Sequence, residues 1–487
     1  MNKGILLNID DTNYWYTRFN NGIHPDENEM RSMVRRYKDT HVTDLMFCIA
    51  GRMADYPSEV YESFLDKYHQ TRENGRDVDY KNTLCSVLHE VYEEKGLDPY
   101  VFWIDEANRC GIRPWLSVRM NDCHCCADPT SFLHPDFFHD HPEYRRIRHR
   151  EPEGYFDWCY DYELREIIDR ELKLIEELMQ RYTPYGIELD WMREAFCFAP
   201  GRENCAVITD FMRRVKQLTK LPLCVRVPAD PNDALQMGFD VCTWADEGLI
   251  DIVVPTARWA TTDTDMPVAL WKRLLRGTGV KLCPGAEILI RPNNKVFTFN
   301  TPAHVFGFAN AAYSDGADGL YLFNYFDVIG EKFTHPEPGK EMLCTNNRTL
   351  TEVITTAGDP ELVRNALRRH MVTFRDLQPI WGTVAAPLPL NCEKGHAVYV
   401  KVCTGALPEN AAVTLHLAFR EEGEADVYVS SEKAEYTGLS ACAEKYTELP
   451  MRTYRVKPFP GNYAVVEVMA KDALLTLEFC EITIAKE

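Results

Sequence analysis

Residues 164–193 read LREIIDRELKLIEELMQRYTPYGIELDWMR. Leu164, Ile168, Leu172, Ile175 and Leu178/Met179 recur at helical spacing, with Arg and Glu on the opposite face, so the first half predicts an amphipathic helix. A short break follows, and Gly186–Trp191 (GIELDW) then reads as a strand too short and too apolar to be a helix. Outward from this unit, the same rhythm of apolar strand, loop and helix fills the first 325 or so residues. The other strands expected are Gly4–Asp10, Thr43–Ile49, Ile112–Asn121, Leu223–Pro228, Asp251–Pro255, Lys281–Glu287 and Gly319–Asn324. Eight strands alternating with helices predict an α/β protein built on a parallel (β/α)8 TIM barrel. An open doubly wound sheet is the weaker alternative, because no GxGxxG follows any of these strands.

From Tyr325 to about Pro389 the sequence reads as loop, helix over Pro360–His370 and a proline-rich connection, Ala385–Pro389. The period then changes from helical to two. His396–Val402, Val413–Phe419, Tyr463–Val468 and Leu474–Ile484 alternate apolar and polar residues, the pattern of an antiparallel β-sandwich. The expected division is a catalytic barrel with linker helices over 1–385 and a C-terminal β-sandwich domain over 391–487.

A chain of 487 residues with 45% apolar content can bury a full core. No window of about 18 apolar residues is present, so no membrane association is expected. The opening MNKGILLNIDD reaches a carboxylate pair too soon for a signal-peptide core, which makes a cytoplasmic protein the expectation. A formal charge of −20 argues against nucleic acid. It also means that an anionic substrate would need a local arginine cluster. The 17 cysteines read as reduced thiols, mostly buried.

Barrel enzymes carry their chemistry on inward side chains at the C-terminal ends of strands. Alternation identifies those side chains. In the first strand Asn8 and Asp10 oppose Ile5, Leu7 and Ile9, so Asp10 faces the mouth and Asp11 points away or begins the loop. In the third, Ser117, Arg119 and Asn121 oppose Leu116, Val118 and Met120, and His124 follows in the loop. An inward arginine needs a partner, and an ion pair with Glu188 or Asp190 is the purely structural reading of Arg119. The fourth strand ends in two inward carboxylates, Glu188 and Asp190, followed by Arg193. The fifth carries Arg226, the seventh ends in Glu287 and the eighth in Asn324. Cys123-His124-Cys125-Cys126 is not read as a metal site, because adjacent ligands wrap one tetrahedral ion poorly and no CxxC partner occurs elsewhere. No metal and no cofactor are expected. The long segment Pro129–Trp158, rich in His, Arg and aromatic residues, reads as a substrate-covering lid.

At these residues the chain resembles the inverting exo-sialidases of glycoside hydrolase family 156. The matching features are Asp10, the R-x-x-x-x-H spacing of Arg119 and His124, Arg193 after the fourth strand and Asn324 ending the eighth. The layout of a barrel followed by a β-rich domain is similar too. The resemblance implies hydrolysis of terminal α-linked sialic acid from glycans with inversion, a sialylated glycan as partner, and a homodimer. It places the catalytic aspartate at Asp10 or its neighbour Asp11. It implies Arg119 and Arg193 as the fork for the sugar's carboxylate, with Arg226 as a third. In the order favoured, Asp10 is the base and His124 the acid. Two alternatives stand beside it. One is a retaining glycosidase on neutral sugars with Glu188 as acid/base and Glu287 as nucleophile, about 5 Å apart. The other is an inactive carbohydrate-binding barrel.

Overall fold

The computed structural model describes residues 2–487 except 74, 259–260, 294, 297, 326–346, 376–386 and 443–445. A nine-stranded parallel sheet forms its centre. In chain order the strands are β1 (Ile5–Ile9), β2 (Val42–Ala50), β3 (Arg113–Arg119), β4 (Gly186–Asp190), β5 (Leu223–Pro228), β6 (Ile252–Thr256), β7 (Lys281–Leu282), β8 (Gly285–Glu287) and β9 (Leu320–Phe323). They lie side by side in the order β8-β9-β1-β2-β3-β4-β5-β6-β7.

All eight strand regions read from the sequence are strands, and one differs in form. The expected run Lys281–Glu287 is two strands split at Cys283-Pro284. Proline has no N–H to give to a ladder. Ahead of the break Cys283 donates to Val253 on β6, and behind it Tyr321 on β9 donates to the Pro284 carbonyl, at 3.0 Å each. The two ends of the sheet are therefore consecutive pieces of one stretch of chain.

Strands buried on both faces explain the apolar runs. One face, with Ile5, Leu7, Leu45, Phe47, Leu116 and Leu189, packs on the helices. The other carries a separate apolar cluster that includes Leu6, Met46, Trp115, Cys224, Val254, Tyr321 and Phe323. Leu6, Trp115 and Cys224 share parity with Asp10, Arg119 and Arg226 further along the same strands. This second face is thus apolar toward the N-terminal ends of its strands and charged at their C-terminal ends. The helix Arg165–Arg181 buries Ile168, Leu172, Ile175 and Leu178 as its period requires.

The C-terminal strands form a six-stranded and a four-stranded antiparallel sheet. The expected helix over Pro360–His370 is corrected: it ends at Asn365, and Arg368–Met371 is a strand paired antiparallel to Glu481–Ile484. That strand precedes the proline-rich connection, whose first two residues, with the boundary at 385, lie outside the described residues. Helix Pro302–Ser314 packs against this strand through Gly307, where a Cβ would stand 2.2 Å from the Arg369 carbonyl oxygen. Across the same contact, buried His304 and Arg369 each reach Glu481 at 2.9 Å. Among the described residues no helix is long and apolar enough to cross a membrane.

Candidate active site

Asp10 follows β1 directly and does two things. Its carboxylate accepts from the Asn13 backbone at 3.1 Å, which caps helix Asp11–Asn21, and it accepts from Arg119 Nη2 at 2.7 Å. Asp11 turns the other way, fully buried against the Tyr100 hydroxyl at 2.8 Å. Asp10 is therefore the aspartate that reaches the mouth.

Arg119, at the end of β3, also approaches Asp122 at 3.3 Å. Asp122 is the centre of the site, and strand alternation did not reveal it because it lies in the loop past β3. Its Oδ1 accepts from the His124 backbone at 2.9 Å and pairs with His124 Nδ1 at 2.6 Å. Its Oδ2 lies 3.6 Å from Arg193 Nε. The residue two places ahead of the histidine was the available signal, since Asp commonly bonds the backbone two residues on. Arg193 Nη2 contacts His124 Nε2. A guanidinium can only donate. His124 thus carries its proton on Nδ1, toward Asp122, and offers a lone pair at Nε2.

The electrostatics agree with this tautomer. Burial and the Arg193 charge lower the His124 pKa against the opposing pull of Asp122, so the ring is neutral near pH 7. Burial pushes Asp10 up, but the charge and hydrogen bond of Arg119, with Arg193 beyond, hold it below the ordinary carboxylate range. Asp122 is opposed by burial in the same way, yet His124, Arg193 and Arg119 keep it well below that range.

These residues line a pocket of about 230 Å3 together with Arg52, Asp55, Tyr16, Phe64 and Leu133. Arg52 is buried between the rings of Phe138 and Tyr160, 4.2 and 4.0 Å from their centroids. It donates to the carbonyls of Asp122 and Trp158, and among the described residues its Nη1 meets no hydrogen-bond partner. Asp55 is pushed well up by burial and by the neighbouring Asp11 and Asp10, which disfavours its charged form. Three guanidiniums therefore gather with three carboxyl groups in this one pocket, in a protein of formal charge −20.

The remaining residues expected at the site lie elsewhere. Arg226 does not join the pocket: it makes a doubly hydrogen-bonded pair with Asp190, at 2.8 and 2.9 Å, and covers the Phe323 ring at 3.8 Å. The purely structural alternative for Arg119, an ion pair with Glu188 or Asp190, is not what is found: Arg119 pairs with Asp10 and Asp122. Glu188 is fully buried, and burial together with Asp190 raises it to about 7. Glu287 accepts from Asn324 at 3.0 Å. None of Glu188, Asp190, Arg226, Glu287 and Asn324 is among the described residues that line the pocket. Asn121 faces the segment read as a lid, accepting from Tyr160 N at 2.7 Å and donating to the Tyr160 carbonyl.

That segment packs as a wall. Arg146 donates to the Phe198 carbonyl at 2.7 Å, Leu133 lines the pocket, and Tyr155 stands edge-on to His124 at 6.3 Å. The Tyr155 hydroxyl meets Glu194 at 3.0 Å, a buried carboxyl that burial raises to about 8 and that sequence reasoning did not single out. The cysteines beside His124 scatter: Cys123 approaches Cys159 and Cys126 approaches His134, while Cys125 is exposed. Among the described residues they gather no ligand set.

No protein-family model matches the chain, and no curated protein matches it. Among solved structures it is similar to α-L-fucosidase isoenzyme 2 from Paenibacillus thiaminolyticus, at 11% identity and a TM-score of 0.41 over 75% of this chain; the chain spans 50% of that protein. It is similar to the maltogenic α-amylase AmyB from Thermotoga neapolitana, at 11% identity and a TM-score of 0.38 over 96% of this chain and 100% of that one. It is also similar to the family 36 α-galactosidase AgaB from Geobacillus stearothermophilus, at 11% identity and a TM-score of 0.37 over 96% of this chain and 55% of that one. At this level of likeness nothing about substrate passes from one chain to another.

Proposed function

We propose that the protein is a glycoside hydrolase, an inverting exo-sialidase that releases terminal α-linked sialic acid. The observation that carries this reading is the gathering of three guanidiniums in one pocket of a strongly acidic chain. A site with Arg52, Arg119 and Arg193 around a neutral histidine suits a substrate whose anion lies beside the bond to be broken. Sialic acid carries its carboxylate on the anomeric carbon. We read the parallel sheet as a closed eight-stranded barrel, with β7 and β8 as one strand and the pocket at its C-terminal mouth. The barrel through residue 385 is the catalytic part, and 391–487 is accessory.

In this mechanism the sugar's carboxylate settles on Arg119 and Arg193. As Arg193 turns from His124 to that carboxylate, His124, held at Nδ1 by Asp122, accepts a proton from water at the freed Nε2. Binding of the anion weakens the positive field that keeps Asp10 ionised, so Asp10 takes up a proton from solvent and delivers it to the departing glycosidic oxygen. This reverses the order read from the sequence. Asp10 and His124 stand at opposite ends of a chain of contacts through Arg119 and Asp122. A guanidinium and a carboxylate thus separate them, in keeping with the roughly 6.5–9.5 Å gap that inverting glycosidases use to admit water.

The test is incubation with sialyllactose and detection of free sialic acid. Release from neutral chromogenic glycosides, with none from the sialoside, would replace this reading with a neutral-sugar glycosidase. Tight sialoside binding without turnover would make it a binding protein.

A further inference from the structure

Away from the pocket, two short helices bring a second group of ligating side chains together. His69 ends helix Phe64–His69, and His89 ends helix Cys85–His89, from which a π-helical turn runs over Glu90–Glu94. One donor atom from each of His69, His89 and Glu93 lies within 4.8 Å of the others. His69 Nε2 is 2.9 and 3.0 Å from the two Glu93 oxygens, and His89 Nδ1 is 3.1 Å from Glu93 Oε2.

We propose that His69, His89 and Glu93 form a site for one divalent cation of the zinc type, with water completing a tetrahedron. The spacing fits: donors 2.0–2.1 Å from a tetrahedral ion stand about 3.3 Å from one another. Two imidazoles and one carboxylate suit zinc or a neighbouring d-block ion better than calcium or magnesium, which take oxygen.

Three further features distinguish this group from an ordinary surface His–Glu contact. The His89 ring is fixed by stacking on Tyr68, with centroids 3.9 Å apart and planes 12° from parallel. Its other nitrogen, Nε2, lies 3.4 Å from Glu94 Oε1, an outer carboxylate of the kind that orients ligating histidines. Charge is also left over. Glu90 is matched by Lys95 and His24, whereas among the described residues no Lys or Arg pairs with Glu93 or Glu94. Isolated π turns recur where a helix is bent to serve a site.

The test uses the full chain, stripped with chelator and dialysed, then titrated with zinc(II) alone by calorimetry. One equivalent is expected to bind, and affinity is expected to fall at least tenfold in His69→Ala and in Glu93→Gln. The 17 cysteines are competing ligands. Cobalt(II) absorption separates the two, since a nitrogen–oxygen site gives visible ligand-field bands without the near-ultraviolet thiolate band. Zinc should raise the melting temperature of the parent protein but not of His69→Ala, a change at an exposed helix end. Binding unchanged in both variants, or a thiolate-only cobalt spectrum, would overturn the proposal.

Discussion

Arg226 and Asp190 are joined by two hydrogen bonds, 2.8 and 2.9 Å long, with both side chains sealed from solvent. The Asp190 carboxylate also accepts from the backbones of Met192 and Arg193, so this pair fixes the turn that aims Arg193 at His124. Removing one member of a buried pair strands the other charge. Arg226→Ala is therefore expected to cost about 3–5 kcal/mol of stability. Thermal or denaturant unfolding measures it. An Arg226→Ala protein with unchanged stability and selectively weakened sialoside binding would return Arg226 to the substrate.

Arg119 belongs to the other class, because it touches the pocket. Each charge-assisted hydrogen bond contributes about 1.5–3 kcal/mol, so loss of a two-contact fork should lower kcat/KM on a sialoside by roughly a hundredfold or more. Arg119→Lys keeps the charge without the fork and should fall between Arg119→Ala and the parent. Equal kcat/KM for all three proteins would remove Arg119 from carboxylate binding.

The difference between these two arginines marks where sequence reading stops. Alternation correctly put Arg119, Asp190 and Arg226 on the inner face, because a strand's period of two is rigid. It could not say which partners pair. Arg119 and Arg226 both flank Asp190 in register, and only the positions of Asp10 and Asp122 decide that Arg119 turns away. Asp122 escaped notice for a related reason: beyond Arg119 the strand ends, and parity no longer applies. In the C-terminal sheets four strands were legible, but Ala425–Val429 and Met451–Val456 were not read, and Glu435–Ser440, an exposed edge strand, shows no apolar alternation to read.

The lowered His124 pKa gives a pH dependence with a definite sign. A base must be neutral, so the acidic limb of kcat/KM should lie below the ordinary 6.5 of histidine. Arg193 lowers this pKa, so Arg193→Ala should move the acidic limb to higher pH as well as weaken binding. Asp122 raises it, so Asp122→Asn should move the limb the other way, with a loss of about 10²–10⁴-fold as the Nδ1 proton loses its anchor. Limbs that stay in place in both variants would take His124 out of the base role.

Stereochemistry tests the pairing of Asp10 with His124 most directly. Hydrolysis by water activated on one face while the departing oxygen is protonated on the other inverts the anomeric carbon. An α-sialoside must then yield the β-anomer of sialic acid first. Proton NMR in the opening minutes of turnover can see this before mutarotation mixes the forms. Asp10→Asn is the companion variant: an asparagine can still cap helix Asp11–Asn21 through its side-chain oxygen, so lost activity with an unchanged melting temperature would assign the loss to chemistry. Early α-anomer would instead require two successive displacements through a covalent sugar–enzyme bond. The Asp10 carboxylate, held by Arg119 and by the Asn13 backbone, would then have to be judged as a nucleophile rather than as an acid.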